Sequence, residues 1–279
     1  MTNMLMTGIA ALMLTATTVS AQEVPKSPEV AQTGTMVIAN TMEYAPFEFV
    51  DENGQQTGAN IELATALAKL VGAKLEVTRI QFPAMIPGLA ADRFRIAWET
   101  FSATEERLAQ VDFVMFLKSG LVVSTTPDKK ASFTGDTPLC GKRIGVIAGT
   151  VSDFLIDKKV AECADKGQPA LEKKVFPEGK DVIQAALSDR IDGKMDDATA
   201  SGYFEVTSKG QLVVLPGLYD EAPLGIAVKK GDTATAAMLE AGLNALIADG
   251  TYKTVMDKYG LGTAMIDKAY VVDKLSDLK

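Results

Sequence analysis

The sequence predicts an α/β fold built on a mainly parallel sheet. Three observations support this. Strand-like and helix-like patterns alternate from the end of a polar stretch at residues 22–34 to about residue 260, the rhythm of strands joined by crossover helices. Hydrophobic residues make up 47% of the chain and charged residues 23%, enough apolar material for a sizeable core. After the first 21 residues, no apolar run approaches the ~20 residues that a membrane-spanning helix needs.

Taken in order, MVIAN (36–40) reads as a buried strand, and FEFVDENG (47–54) as a strand running into an Asn53-Gly54 turn. NIELATALAKLVGA (60–73) predicts an amphipathic helix with Leu63, Leu67, Leu70 and Val71 on one face and Asn60 as its N-cap. KLEVTRI (74–80) alternates like a strand, PAMIPGLAAD (83–92) is a short helix interrupted by Pro87, and RIAW (95–98) is the next strand. It delivers the chain to SATEERLAQVDF (102–113), where Ser102 and Glu105 fit a capping box and set Arg107 in the first turns of a helix. RIGVIAGTVSDFLIDKK (143–159) is strand, glycine turn and helix, and residues 174–204 hold strand, helix, strand and helix start. LGIAVKKGD (224–232) is a late strand, and TATAAMLEAGLNALIADG (233–250) a long helix closed by Gly250. Where strands hand over to helices, α/β proteins bind ligands.

The first 21 residues carry no charge and end on Val19-Ser20-Ala21, small residues at the spacing of a secretory cleavage site. Residues 1–21 are therefore expected to be a signal peptide and 22–33 a flexible mature start, with the protein exported to the periplasm. A net charge of −8 argues against nucleic acid as a partner, since that needs clustered Lys and Arg. The chain has no histidine, which excludes Ser-His-Asp and Cys-His triads and most zinc sites. No metal or cofactor is expected. Cys140 precedes the strand RIGVI and Cys163 ends the returning helix. In an exported chain the two are expected to form a disulfide.

The order of EYAPFEFVDENG, GANIELATALAKLVGAKLEV, IPGLAADRFRIAWETFSATEERLAQVDF, LCGKRIGVIAGT, IQAALSDRIDGKMDDA, LGIAVKKGD and ALIADGTYKTVMDKYG resembles that of the periplasmic polar amino-acid-binding proteins of ABC importers. The resemblance implies two α/β lobes joined by two hinge crossovers that close over a ligand. By its register, residues 34–118 with 224–279 form one lobe and 119–223 the other. It also implies a monomer that takes an amino acid as ligand, partners a membrane-embedded ABC permease and performs no chemistry.

The family's S-x-T-x-x-R pattern is met by Ser102, Thr104 and Arg107, and there the arginine grips the ligand's α-carboxylate. A guanidinium suits that role because it is a planar fork that stays charged when buried; a solvated surface arginine is the plain alternative. The resemblance further implies that Thr150 donates to the same carboxylate and that Asp197 receives the α-amino group. Asp196 is the neighbouring candidate, and a helix N-cap is the alternative role for either aspartate. Tyr44 and Phe82 would stack on the ligand's side chain, and Thr100 would offer a hydroxyl beside Arg107.

The chain departs from the family pattern at several points. Where many relatives carry an acidic residue two or three positions before the tyrosine, this chain has Thr41 and then Glu43. Glu99 follows the sole tryptophan, Trp98, where relatives have a small residue, and Lys194 replaces an apolar one. Glu99 would favour a cationic or amine-bearing ligand if it faces the pocket. With Lys194 and Asp196 it also keeps a rival reading open, a cleft enzyme resembling the dehydratases of cyclic carboxylic acids.

Overall fold

Two sets of three parallel strands flank a pair of long antiparallel strands in the computed structural model, which describes residues 24–279. The signal-peptide expectation for residues 1–21 lies outside the described residues. In sheet order the first set is Lys74–Arg79, Thr35–Asn40 and Ile96–Ser102. The second is Gly193–Asp197, Arg143–Ile147 and Glu172–Phe176. Between them run Tyr219–Lys229 and Val111–Thr125. Each of these two belongs to both halves. Residues 111–117 of the latter pair with 224–229, and its last residues, from Leu121 to Ser124, pair with Asp197 back to Lys194.

Helices cover both faces of this sheet, giving the two-lobed α/β arrangement the sequence predicts. On one side Ala59–Leu70, Thr233–Ala248 and Thr251–Lys258 pack over Met36, Ile38, Trp98, Phe116 and Ile226. The far half has its own core around Ile144, Val146, Ile156 and Met195. The Cys140–Cys163 disulfide is formed, with Cα atoms 5.6 Å apart, and ties the start of one strand to the end of the helix Val151–Asp165 that follows it. No helix among the described residues is long and apolar enough to cross a membrane.

Four local expectations are corrected. Residues 22–33 were expected to be a flexible start, yet Pro28–Thr33 is a helix, capped by the Ser27 hydroxyl and anchored by buried Val30. The 60–73 helix begins at Ala59 on Gly58, not on Asn60. Gly58 lies at φ 117, and a Cβ there would overlap the Phe47 carbonyl, so only glycine fits. Asn60 is buried and donates to Glu48 instead. Leu70 is exposed, whereas Leu63, Leu67 and Val71 are buried. Ser102 ends a strand, and the short helix Glu105–Leu108 is capped by Thr104, whose hydroxyl accepts the Arg107 N–H.

Candidate functional site

Six parallel strands point their C-terminal ends at one cleft, the place where open α/β sheets leave backbone groups free for a ligand. Thr41, Ile80 and Ser102 come from the first set, and Ile147, Pro177 and Asp197 from the second. The cavity they frame holds about 840 Å³ including its open mouth, within the ~300–1,000 Å³ typical of small-molecule sites. Tyr44, Phe82, Thr100, Ser102, Arg107, Thr150 and Asp197 all line it. The structure thus brings these seven residues to one cavity from both halves of the sheet, whereas Thr104 and Lys194, also named from the sequence, lie outside its lining.

Arg107 is 7% exposed. Its guanidinium donates to the Ser102 carbonyl at 2.9 Å and, across the cleft, to the Gly149 carbonyl at 2.8 Å. Phe82 and Phe101 lie on it, each ring centroid 5.6 Å from the guanidinium carbon. Phe82 is therefore a platform for the arginine as well as a wall of the cavity. Burial lowers the Arg107 pKa to about 10, which leaves it charged at neutral pH. Among the described residues it makes no ion pair, and it lines the cavity. The surface-charge alternative for this residue is excluded.

On the opposite wall Asp197 caps the helix Ala198–Thr207. It accepts from the Thr199 and Ala200 N–H groups at 2.8 and 3.2 Å and from the Thr199 hydroxyl. Burial pushes its carboxyl up, opposed by donors that include Thr199 and Ser119. Asp196 has different partners: Lys194 at 2.7 Å, the Asp197 N–H at 2.9 Å and, across the cleft, the Tyr44 hydroxyl at 2.7 Å. Burial and the Asp196 charge raise the Tyr44 pKa well above its usual value, which keeps the phenol a donor. Thr150 caps the helix Val151–Asp165, and its hydroxyl donates to the Ile147 carbonyl at 2.7 Å.

At the mouth, Glu43 pairs with Arg79 and, at 3.0 Å, with Lys180. Glu178 pairs with the same two cations at 3.7 and 2.6 Å. These four charges cancel and stitch the two halves together across the cleft. Arg79 and Glu178 carry no motif, and sequence reading missed them; their only signal is a position at a strand end, for Arg79, or just past one, for Glu178.

Beneath the cavity sits a carboxyl pair. Glu99 lines the cavity at 2% exposure and accepts the Thr41 N–H at 2.6 Å. Glu48, fully buried, accepts from Asn60 at 2.6 Å through Oε2, while its Oε1, on the side of Glu99, has no donor among the described residues. The Glu48 pKa is raised well above its ordinary value by burial and then by the charge of Glu99; burial also raises that of Glu99, opposed by the bond from Glu48. No group of residues suited to hold a metal occurs among the described residues.

The family model for bacterial extracellular solute-binding proteins, family 3, matches residues 36–262. The "Arginine-binding protein ArgT" of Corynebacterium glutamicum is 25% identical over 242 residues, which cover 86% of this chain and 79% of that protein. The "Probable histidine-binding protein" of Neisseria gonorrhoeae is 28% identical over 230 residues, 80% of this chain and 81% of that protein. Among solved structures, an ancestral arginine-binding protein bound to arginine superposes with a TM-score of 0.72 at 28% identity, covering 81% of this chain and 98% of that one. The ancestral amino acid-binding protein AncCDT-1, described as a precursor of cyclohexadienyl dehydratase, gives 0.75 at 27% identity, covering 83% and 97%.

Proposed function

The chain belongs to the bacterial extracellular solute-binding proteins of family 3, and from that premise we propose that it captures a polar amino acid between its two lobes and delivers it to an ABC importer. It works as a monomer, exported to the periplasm behind its signal peptide, and performs no chemistry on the ligand. Arg107 clamps the α-carboxylate beside Ser102, Asp197 receives the α-amino group, and Tyr44, Phe82 and Thr100 flank the remainder; Thr150, expected from the resemblance to donate to the carboxylate, gives both its hydroxyl and its N–H to the Ile147 carbonyl and contributes as a wall of the cavity.

One observation carries this reading: a buried arginine without an ion-pair partner faces a buried aspartate without one across a single cavity. Among the described residues, neither charge has an opposite charge in contact. Buried unpaired charges are costly, and the head of a zwitterion neutralises both at once. The lobes divide at 118/119 and 223/224. Lys118 and Pro223 face each other in register on the two long strands, which suits a hinge where both crossovers bend at one level. Ligand contacts from both lobes then favour the closed form over the open one.

The dehydratase reading loses support from Lys194. That lysine lies outside the cavity lining, 1% exposed, and its ammonium is taken by Asp196, so it is not free to act as an acid or base on a bound ring.

The test is calorimetric titration of amino acids into protein stripped of ligand by unfolding and refolding. At least one proteinogenic amino acid is expected to bind, and Arg107→Ala to weaken it roughly 30-fold to several thousand-fold. Arg107→Lys also weakens it, since a point charge cannot reproduce the fork. A folded Arg107→Ala protein with unchanged affinity overturns the assignment, as does turnover of a cyclic carboxylic acid with no amino acid bound.

A further inference from the structure

The cleft contains several charged side chains, and most of them cancel. Glu43 and Glu178 are matched by Arg79 and Lys180, and Asp196 by Lys194. Three charge centres that face the cavity keep no counter-ion among the described residues: Arg107, Asp197 and the Glu48–Glu99 pair. The zwitterionic head proposed above accounts for the first two. The third is left over.

Geometry fixes the state of that pair. Two carboxyl groups in contact and shut off from water do not both ionise. Glu48 Oε2 accepts from Asn60, whereas Glu48 Oε1 is buried with no donor to accept from. An oxygen in that position is satisfied if it carries the proton and donates it to Glu99. Glu99 already accepts the Thr41 N–H, so it is arranged as the acceptor, hence the anion, of the pair. One proton and two carboxyls leave one net negative charge. Glu48, Asn60 and Asn40 behind it are fully buried, and Glu99 is the member that lines the cavity. The groups packed around the pair come from the strand Thr35–Asn40, the strand Glu48–Val50, the helix Ala59–Leu70 and the strand Ile96–Ser102. They and the turn after the first strand supply Asn40, Asn60 and the Thr41 N–H, and among the described residues no lysine or arginine pairs with either glutamate.

We propose that Glu99, held as an anion by the proton on Glu48, is the residue that selects a ligand with a second cationic group, which makes the ligand class a diamino monocarboxylic acid or its guanidino equivalent. This rests on the amino-acid-binding reading and adds the side-chain chemistry to it. The charges left without a counter-ion in the cleft are one positive and two negative, and a ligand with one carboxylate and two cations is their complement. A neutral side chain of equal size leaves the anion of the pair buried and unmatched.

The experiment titrates L-arginine and L-citrulline, which have nearly the same shape but differ in charge, into stripped protein and into Glu99→Gln and Glu48→Gln. The parent chain is expected to prefer arginine by about 30-fold or more, the scale of removing one partner from a buried charge pair. Glu99→Gln reduces that ratio to within a few-fold of one while still binding citrulline, because Arg107 and Asp197 are untouched. Glu48→Gln keeps the preference, since its amide can still donate to Glu99. Equal affinity of the parent chain for both ligands overturns the proposal without any variant, as does a folded Glu99→Gln protein that retains the full ratio or a folded Glu48→Gln protein that loses it. If neither ligand binds and no other amino acid does, the amino-acid reading itself fails; if only neutral amino acids bind, that reading stands and the Glu99 assignment alone falls.

Discussion

Two acidic pairs face each other across the cleft, and they are stabilised by opposite means. Asp196 and Asp197 sit on one wall, Glu48 and Glu99 on the other, all four 8% exposed or less. The aspartates are surrounded by donors: a lysine, a phenol and the N-terminus of a helix. The glutamates have two asparagines and one N–H nearby, and burial raises the pKa of both. A buried carboxyl is held ionised when cations and oriented N–H groups surround it, and neutral when they do not. The two walls thus offer a ligand different surroundings within one cavity: helix N–H groups, a lysine and a phenol on one side, amides and a single N–H on the other.

The largest effect expected from disturbing this contrast is on the aspartate side. Lys194→Met removes the cation and leaves Asp196 buried beside Asp197 with no counter-charge, a loss of ~3–5 kcal/mol in stability. Urea denaturation measures it. Adding Asp196→Asn should recover much of the loss, because the unpaired charge goes with it. A single variant as stable as the parent would mean that Asp196 does not depend on Lys194.

A smaller effect, and a sharper one, comes from Asp197→Asn. Asparagine caps a helix about as well as aspartate, so stability should change by less than ~1 kcal/mol. Affinity for an α-amino acid should fall by ~2–5 kcal/mol, because the ligand's ammonium loses the anion proposed to receive it. Thermal unfolding and calorimetry on one preparation separate the two roles. If affinity holds and stability falls, Asp197 is only a cap.

The two walls also differ in how far the sequence disclosed them. Lys194, Asp196, Asp197, Thr199 and Ala200 lie within seven consecutive positions, so one strand end and the helix start behind it bring them together, and the resemblance to the family pattern pointed to the first three. Arg107 was legible for the same reason, in a short segment that starts with Ser102. The glutamate wall gathers residues 40, 41, 48, 60 and 99 from four elements and the turn after the first, and no local pattern marks such a meeting. Glu99 stood out as a departure from the family pattern. Glu48 did not, because a glutamate in FEFV reads as the outward residue of an alternating strand, whereas here a small three-stranded sheet turns it inward against Asn60. The misplaced caps have a related cause: Gly58 starts its helix where only a residue without Cβ fits, and Thr104 caps with its hydroxyl because the strand runs on through Ser102, neither of which composition encodes.

The finest test uses pH on the glutamate wall. The native Glu48 pKa is raised, by burial first and by Glu99 second, while the unfolded chain releases that proton near the ordinary ~4.3. Between those two values the native state holds a proton that the unfolded state lacks, so this group's contribution to stability is fully present at pH below ~4.3 and declines as pH rises toward the native value, with a limiting slope of ~1.4 kcal/mol per pH unit. Glu48→Gln cannot titrate and can still accept from Asn60 and donate to Glu99. The variant should therefore match the parent most closely near pH 4 to 5 and become progressively more stable than it as pH increases. Urea midpoints measured across that range give the difference directly, with the shared titrations of the rest of the chain cancelling between the two proteins. Parallel stability curves would mean that Glu48 ionises alike in the folded and unfolded chain, and the glutamate wall would then carry two charges instead of one.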